Sequence, residues 1–404
     1  MQTRGVRLHP SWVIVLAGVC AALHVGKLPP ALPVLQASLH ITLVQAGFLL
    51  SAVQIAGMTL GLAVGLGADG LGLRRSMLLG LGVLSLASIA GGFAQDASSL
   101  LALRGLEGVG FLLVVMPAPA LIRGTEQTAA LSARMGWWGT YMPTGNALAL
   151  LLGPWVIAAL HWSAWWWLLG LVTALTWGAV AWYVPDVRSA TVNTAEPQTH
   201  WSQRLTLTLQ SPGPWLVALT FAAYSSQWLA VVGFLPTVFA QMGVSASAAG
   251  GLSACVALAN VSGNVLAGRL LQAQWPAQRL LWLGFAAMAV GAIGAYAPGA
   301  ANAWPVVLRF ACVLLFSALG GLIPATLFSC ALRLAPSEAT VSTTVGFMQQ
   351  WSACGQFAGP PLVAWLAASA GSWQWTWCVT TLLCLTGAVL AFFIGAGLLR
   401  NQQT

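Results

Sequence analysis

The sequence predicts an all-α integral membrane protein in which twelve transmembrane helices form two pseudo-symmetric six-helix bundles. Three observations support this fold class. Hydrophobic residues make up 58% of the 404 residues and charged residues only 5%, whereas soluble domains contain about 25% charged residues. Many apolar runs reach the length of about 20 residues that a membrane-spanning helix needs. The second half of the chain also repeats the pattern of the first.

Twelve apolar runs, each bounded by polar, Gly or Pro residues, are the predicted spans. Spans 1 to 6 are expected at 11–37, 44–67, 76–95, 99–122, 133–160 and 164–184. Spans 7 to 12 are expected at 213–240, 246–269, 278–298, 303–333, 340–368 and 373–398. A long polar stretch separates spans 6 and 7. It predicts an N-terminal bundle over 1–184, a cytoplasmic linker over 185–212 and a C-terminal bundle over 213–404.

Several spans carry a further signal, in chain order. Span 1 contains LPPALP (28–33), whose prolines predict a break in the helix. The tryptophan-rich stretches WSAWWW (162–167) and SWQWTW (372–377) lie where spans 6 and 12 begin. Tryptophan is enriched at both membrane–water interfaces, so we expect both stretches to be interface anchors.

The distribution of arginine predicts the orientation. The loops and termini on one side of the predicted bundle hold Arg4, Arg7, Arg74, Arg75, Arg123, Arg134, Arg188, Arg204, Arg269, Arg279, Arg333 and Arg400. The loops on the other side hold no Lys or Arg, so the positive-inside rule places both termini in the cytoplasm of a multi-pass inner-membrane protein. No loop has a dense basic cluster, and no nucleic-acid partner is expected. The expected partners are the lipid bilayer and a small-molecule anion, and the chain is expected to be a monomer.

The internal repeat is visible as residues paired at a slowly drifting offset. An offset of 203 pairs Trp12 with Trp215, Pro33 with Pro236, Gly47 with Gly250 and Gly65 with Gly268; 205 pairs Arg104 with Arg309; and 210 pairs Gly136 with Gly346 and Gly145 with Gly355. Two parallel six-span repeats around a site near the midplane are typical of secondary transporters.

Three cations fall inside predicted spans: Lys27, Arg104 and Arg309. At 1.5 Å per helical residue, Lys27 lies roughly 13 Å and the two arginines roughly 8 to 9 Å from the outer ends of their spans. A charge at mid-bilayer costs at least ~2.5 to 3.5 kcal/mol, which makes such residues functional candidates. If the three cations face inward, they form a cationic site opposed by one buried acid, Glu107. In a second interpretation Glu107 pairs with Arg104 for structural reasons and leaves Lys27 and Arg309 unpaired.

Other polar residues of the spans are candidates for the wall of this site. Glu107 could carry coupling protons, and His24, on the same helical face as Lys27, could bind substrate, protonate or pack against backbone carbonyls. The remaining candidates are Trp138, Tyr141, Asn146, Tyr224, Gln227, Gln349, Gln350 and Gln356.

Two motifs resemble the major facilitator superfamily, and the span pattern extends this resemblance over the whole chain. GLGADGLGLRR (65–75) is similar to the family's cytoplasmic loop motif, with Gly70 and Leu73 where the family usually has basic residues, and GNVLAGRL (263–270) is a weaker copy. RGLEGVG (104–110) resembles the span 4 motif, with Glu107 in place of an amide. The resemblance implies that Arg104 faces a central cavity and that Asp69, Arg74 and Arg75 gate the cytoplasmic side. FLLVVMPAPALIR and GFMQQ are similar to the cyanate- and nitroimidazole-permease branch.

The expected function is therefore secondary transport of a small anion by alternating access, with proton symport. No cofactor and no metal are expected, because the sequence has no ligand cluster, nucleotide-binding motif or nucleophile arrangement. A proton-coupled exporter of amphiphilic drugs is an alternative, although the span 5 motif of proton antiporters is poorly matched. An integral-membrane enzyme or signalling protein is a more remote alternative.

Overall fold

In the computed structural model, residues 9–67, 72–126, 128–186 and 201–400 are described, and their regular structure is entirely helical. The helices of the first half are Pro10–Gly26 and Leu28–Ser38 (span 1), Leu43–Ser51, Ala52–Gln54 and Ile55–Gly67 (span 2), Leu73–Gly91 (span 3), Ala97–Val115 and Ala118–Thr125 (span 4), Thr128–Gly139 and Tyr141–Ala159 (span 5) and Trp162–Tyr183 (span 6).

The helices of the second half are Pro212–Gln241 (span 7), Ala246–Gln272 (span 8), Ala277–Tyr296 (span 9), Val306–Gly320 and Leu322–Leu334 (span 10), Val341–Ala370 (span 11) and Thr376–Arg400 (span 12), with short helices at Pro298–Ala303, Glu338–Thr340 and Trp373–Trp375. In the described part of the chain, eleven helices are long and apolar enough to cross a membrane. Span 11 has 30 residues but is more polar, since it carries glutamines and hydroxyls along its length. The predicted twelve-helix fold is confirmed.

The region predicted as a linker contains a helix, Trp201–Gln210. Thr208 of this helix is fully buried, and the indole Nε1 of Trp215 donates to the carbonyl of Leu209 at 2.9 Å. The residues that precede it, 187–200, lie outside the described part of the chain. Packing against the start of span 7 therefore orders a segment whose polarity alone predicts a loop.

Spans 1, 2, 4 and 5 of the first half are interrupted, and the breaks in spans 1 and 2 lie near the middle of each span. Span 1 is interrupted at Lys27, because Pro29 and Pro30 cannot donate the backbone hydrogen bonds that would continue the helix. In span 2 the three residues Ala52–Gln54 form a 3₁₀ turn between two α-helical segments. Such breaks leave carbonyl groups free to accept hydrogen bonds from elsewhere.

The internal repeat reappears in the packing of each half. A Cβ atom added at Gly145 would lie 2.6 Å from the carbonyl oxygen of Val19, and one at Gly355 would lie 2.4 Å from that of Ala222. The two glycines differ by 210 and the two carbonyls by 203, the offsets found in the sequence. Spans 1 and 5 therefore pack as spans 7 and 11 do, through glycine contacts that a larger side chain would prevent.

The end of the molecule that contains the turn between Ser38 and Leu43 is here called the distal end, and the end that contains Pro10 the proximal end. The two halves are in contact at the distal end, and between spans 2 and 11 the contact continues as far as Gly61, where an added Cβ would lie 3.4 Å from Gln350. A Cβ at Gly47 would lie 2.9 Å from the Pro360 carbonyl oxygen, and one at Gly250 would lie 2.5 Å from that of Leu150. These contacts are related by the same two offsets. Spans 2 and 11, and spans 5 and 8, thus form equivalent seams between the halves.

Candidate functional site

Glu107 joins two cations in the interior of the first half. Its Oε1 accepts from the Lys27 ammonium, and its Oε2 lies 2.7 Å from Nη1 of Arg104. His24 completes the cluster, with Nδ1 3.4 Å from the Lys27 nitrogen. All four side chains are buried, with at most 1% exposure. The structure therefore brings together four of the predicted residues, from spans 1 and 4.

Helix geometry explains why these residues meet. His24 and Lys27 are three residues apart, as are Arg104 and Glu107, so each pair lies on one face of its helix. Gly108 lets span 4 approach span 2, because a Cβ there would lie 2.3 Å from the carbonyl oxygen of Val53. The stretch RGLEGVG thus combines two charges with the small residues that let neighbouring backbones close around them.

Arg104 also donates hydrogen bonds to backbone carbonyls beside the breaks in spans 1 and 2. Its Nη1 donates to the carbonyl of His24 at 2.6 Å, just before the break in span 1. Its Nε donates to the carbonyl of Leu49 at 3.3 Å, just before the 3₁₀ turn of span 2. Its Nη2 is buried and has no hydrogen-bond partner among the described residues. A buried unpaired donor costs about 1 to 3 kcal/mol, and Nη2 is left unsatisfied in this conformation.

Lys27 is surrounded by residues of spans 3 and 6. Its ammonium donates to Oγ of Ser88 at 2.9 Å and stands 4.8 Å from the centroid of the Trp166 ring. The indole of Trp165 donates to the Lys27 carbonyl at 3.1 Å. The expectation that Lys27 stays unpaired in the structural interpretation is wrong, because Glu107 bridges it to Arg104.

The prediction that WSAWWW anchors the membrane interface is wrong for most of its tryptophans. Trp162, Trp165 and Trp166 are 3%, 1% and 0% exposed, while Trp167 is 40% exposed. Trp166 turns inward because Gly91 of span 3 makes room for it: a Cβ at Gly91 would lie 2.7 Å from its ring. In SWQWTW the prediction fits Trp375, which is 47% exposed, but Trp373 is buried.

The hydrogen bonds around His24 define its tautomer. The hydroxyl of Thr173 donates to the carbonyl of Leu169 at 2.7 Å, so Thr173 Oγ1 must accept from Nε2 of His24, 2.7 Å away. Nδ1 of His24 is then unprotonated and accepts from Lys27. His24 is neutral in this arrangement, and two cations with one carboxylate leave the cluster with a net charge of +1.

Arg309 is not part of this cluster. Its Nε donates to the carbonyl of Ala295 at 2.8 Å, and its half-buried side chain lines a small apolar cleft with Tyr296, Phe239 and Val313. Span 10 turns this residue toward spans 7 and 9 near the distal end. The expectation that three cations converge in one water-accessible chamber is therefore wrong: two cations meet, and in this conformation they are enclosed.

The span 5 candidates pack against span 1. Trp138 stacks on Tyr141 with ring centroids 4.4 Å apart, and its ring covers Gly18. Asn146 faces Gly26, where an added Cβ would lie 2.8 Å from the amide oxygen Oδ1. Asn146 is thus placed beside the break that carries Lys27, whereas Trp138 and Tyr141 lie closer to the proximal end.

The candidates of span 7 point into the second half. The Tyr224 hydroxyl accepts from Asn260 at 2.9 Å, and the Gln227 oxygen lies 3.2 Å from the sulfur of Cys384. Gln227 is fully buried. Gln227 and Cys384 occupy the repeat positions of His24 and Thr173, offset by 203 and 211, but the second half places no charge there.

The glutamines of span 11 lie on the seam with span 2. Nε2 of Gln54 donates to Oε1 of Gln356 at 3.1 Å, and Nε2 of Gln350 donates to the carbonyl of Met58 at 2.8 Å. Gln349 is partly buried. These amides hold the halves together.

At the proximal end, Asp69 lies outside the described residues. Arg74 donates to the Ala181 carbonyl at 2.6 Å, and Arg75 is exposed. Glu126, in the loop after span 4, accepts from Ser11 and from Nε of Arg134, the latter at 2.6 Å. The hydrogen bond from Ser11 and the neighbouring Arg134 guanidinium hold the pKa of Glu126 below its usual range.

Sequence reasoning missed Ser88, Thr173, Trp165, Trp166 and Gln54. A serine or threonine in an apolar helix gives no signal of the direction in which it points, and the tryptophans matched the pattern of an interface belt. Only the break in span 1, visible in the sequence as prolines, marked the region where most of these side chains converge.

The fold and the buried ion cluster define a class of polytopic membrane protein with two related halves, the first of which encloses a charged cluster. The chain belongs to the Major Facilitator Superfamily, whose family profile matches residues 14–354. It is accordingly a membrane transport protein rather than an enzyme.

Individual relatives are more distant. The chain is 27% identical over 284 residues to the cyanate transport protein CynX of Escherichia coli strain K12, a match that covers 68% of each. It is 26% identical over 174 residues to the methyl viologen resistance protein SmvA of Salmonella typhimurium, covering 43% of this chain and 35% of that protein. The fold is similar to that of a bacterial homolog of the human lysosomal transporter Spinster, inward-facing and unoccupied, with a TM-score of 0.76, 13% identity and coverage of 98% and 99%.

Proposed function

We propose that this protein carries a small monovalent anion, such as cyanate, together with a proton across the inner membrane by alternating access. The observation that carries the proposal is the enclosed cluster of net charge +1, in which the Arg104 nitrogen Nη2 has no hydrogen-bond partner among the described residues. An anion would satisfy both this free donor and the excess positive charge of the cluster. The similarity to a cyanate transport protein supports the same substrate class.

Charge balance favours coupling to a proton. When an anion takes the N–H groups of Arg104 and Lys27, the carboxylate of Glu107 loses both partners, and an unpaired buried charge is strongly destabilising. A proton that arrives with the anion neutralises Glu107. The cluster then carries +1 both empty and loaded, so the energetic cost of burying it is similar in the two states.

The halves 1–184 and 213–404 would rock against each other around this site, with 185–212 as the connecting linker. The seams at the distal end are closed, so the site would next open toward the proximal side. The arginine distribution supports a cytoplasmic proximal end with both termini inside. The protein would act as a monomer, because the site is assembled from one chain.

The test uses proteoliposomes with labelled cyanate and the variant Glu107→Gln. Wild-type protein should accumulate cyanate when the outside is more acidic. The variant should still exchange cyanate for cyanate, because both cations remain, but should lose accumulation driven by the proton gradient. If wild-type protein moves no small anion, the substrate class is wrong; if the variant still accumulates cyanate with the gradient, Glu107 does not carry the proton.

The similarity to SmvA keeps proton-coupled drug export as a second candidate. The same liposomes distinguish it. An exporter would expel cationic dyes and would not require Lys27, so Lys27→Gln would leave dye movement intact. For an anion carrier, that substitution should abolish cyanate uptake, and no dye should move.

A further inference from the structure

Span 6 encloses the only lysine of the chain from two sides. Trp165 donates its indole N–H to the Lys27 backbone carbonyl at 3.1 Å, and Trp166 places its ring 4.8 Å from the ammonium. Ser88 connects them: its hydroxyl donates to the Trp166 carbonyl at 2.8 Å and accepts from the ammonium at 2.9 Å. Besides the ion pair with Glu107, the backbone and the side chain of Lys27 are therefore both contacted by uncharged residues of spans 3 and 6.

We propose that Trp166 is a positioning residue, whose ring face sets where the Lys27 ammonium stands in the anion site. A lysine ammonium is a point charge on a flexible four-carbon stem, so its position has to be imposed by its surroundings. An aromatic face attracts the cation through the ring quadrupole. It does so without accepting a hydrogen bond, and thus leaves the three N–H groups of Lys27 for Glu107, Ser88 and His24.

The indole N–H of Trp166 does not explain why a tryptophan stands at this position. Nε1 is buried and has no acceptor among the described residues, which costs free energy. What remains is the ring face. A phenylalanine at this position would keep a face beneath Lys27 and remove the unpaired N–H, whereas a leucine would remove the face.

The second half supplies a matched control. An offset of 211, which relates Thr173 to Cys384, also relates Trp166 to Trp377, whose Nε1 is again buried and unpaired. The counterpart of Lys27 at offset 203 is Ala230. The second half therefore has the tryptophan without the cation, and a substitution of Trp377 reports the structural cost alone.

The test exploits the single lysine. Protein produced with lysine carrying ¹³C at the ε position gives NMR signals from Lys27 only. Ring current from Trp166 should shift these signals upfield in the wild type and in Trp166→Phe. Trp166→Leu should return them toward the position of a free lysine, and Trp377→Leu should leave them unchanged. Gly91→Ala, which pushes against the ring without altering it, should also reduce the shift.

The consequence for binding rests on the proposed function. In a cyanate titration followed by the same signals, Trp166→Leu should bind about tenfold more weakly, while Trp166→Phe stays within about twofold of wild type. An unshifted wild-type signal, or an equal loss in Trp377→Leu, overturns the positioning role. A ring-shifted signal that depends on Trp166 but does not respond to any small anion supports the positioning and contradicts the anion proposal instead.

Discussion

Glu107 stands between two cations in a region that water does not reach in this conformation. Removing either partner of a buried ion pair costs about 3 to 5 kcal/mol, because the remaining charge is uncompensated. Such a cluster is costly as a purely structural device inside a membrane protein, where an apolar core would serve as well. Arg104 hydrogen-bonds to the backbone beside two helix breaks, and its Nη2 has no partner among the described residues. Both features indicate a role for the cluster beyond structural stabilisation.

The two intramembrane arginines are expected to behave differently. Arg104→Lys should weaken cyanate binding by about 2 to 3 kcal/mol, because a point ammonium cannot donate to His24, Leu49 and a ligand at once as the planar guanidinium does. Arg309→Lys should leave affinity unchanged. Cyanate affinities measured in detergent by isothermal titration calorimetry, with melting temperatures recorded for both variants, check this. Equal losses in the two variants would place Arg309 in the site.

At the scale of helices, the sequence predicts where the spans lie but not which way each face points. Lipid and the interior of a helix bundle are equally apolar, so hydropathy cannot distinguish Trp166, which faces Lys27, from Trp167, which is partly exposed. Arg309 shows the same limit: its repeat position suggested the site, but span 10 turns it toward span 9. The Lys27–Glu107 contact joins residues 80 positions apart, and no local pattern encodes it.

The amides of spans 2 and 11 lead to a prediction about helix contacts. Gln356→Ala leaves the Gln54 amide buried without its partner when the distal seam is closed, at a cost of about 1 to 3 kcal/mol. The distal-open conformer should gain about tenfold in population. Replacing both glutamines by leucine should be closer to neutral, because no unpaired amide then remains.

Hydrogen–deuterium exchange of 43–51 and 357–370 measures this shift. Exchange should rise in the single variant and fall back in the double variant. Gln349→Leu, on the same helix, is the control and should exchange as wild type. If single and double variants exchange alike, the Gln54–Gln356 bond does not hold the seam.

On the scale of the whole molecule, the repeat makes the two seams equivalent, and alternating access requires both to close together. Gly47 and Gly250 occupy corresponding places, each pressed against a carbonyl of the opposite half. The charged site has no such symmetry: Lys27 and Glu107 correspond to Ala230 and, at the offset of the two arginines, Cys312. The fold therefore repeats the seams, whereas the buried ion cluster is formed only in the first half of the described chain.

Closing the distal end should consequently depend on either seam glycine. In Gly250→Ala the new methyl would lie 2.5 Å from the Leu150 carbonyl oxygen and 2.6 Å from the Pro154 ring, and neither can move without shifting a helix. Overpacking of this kind costs about 1 to 3 kcal/mol in the distal-closed state, so cyanate exchange should slow about tenfold while binding from the distal side is kept. Gly47→Ala should behave in the same way.

Gly251→Ala is the control, because a Cβ added at Gly251 has no atom within 4 Å. This variant should transport as wild type, since alanine is simply a better helix former than glycine. Unimpaired exchange in both seam variants would mean that these contacts open and close without limiting the transport cycle.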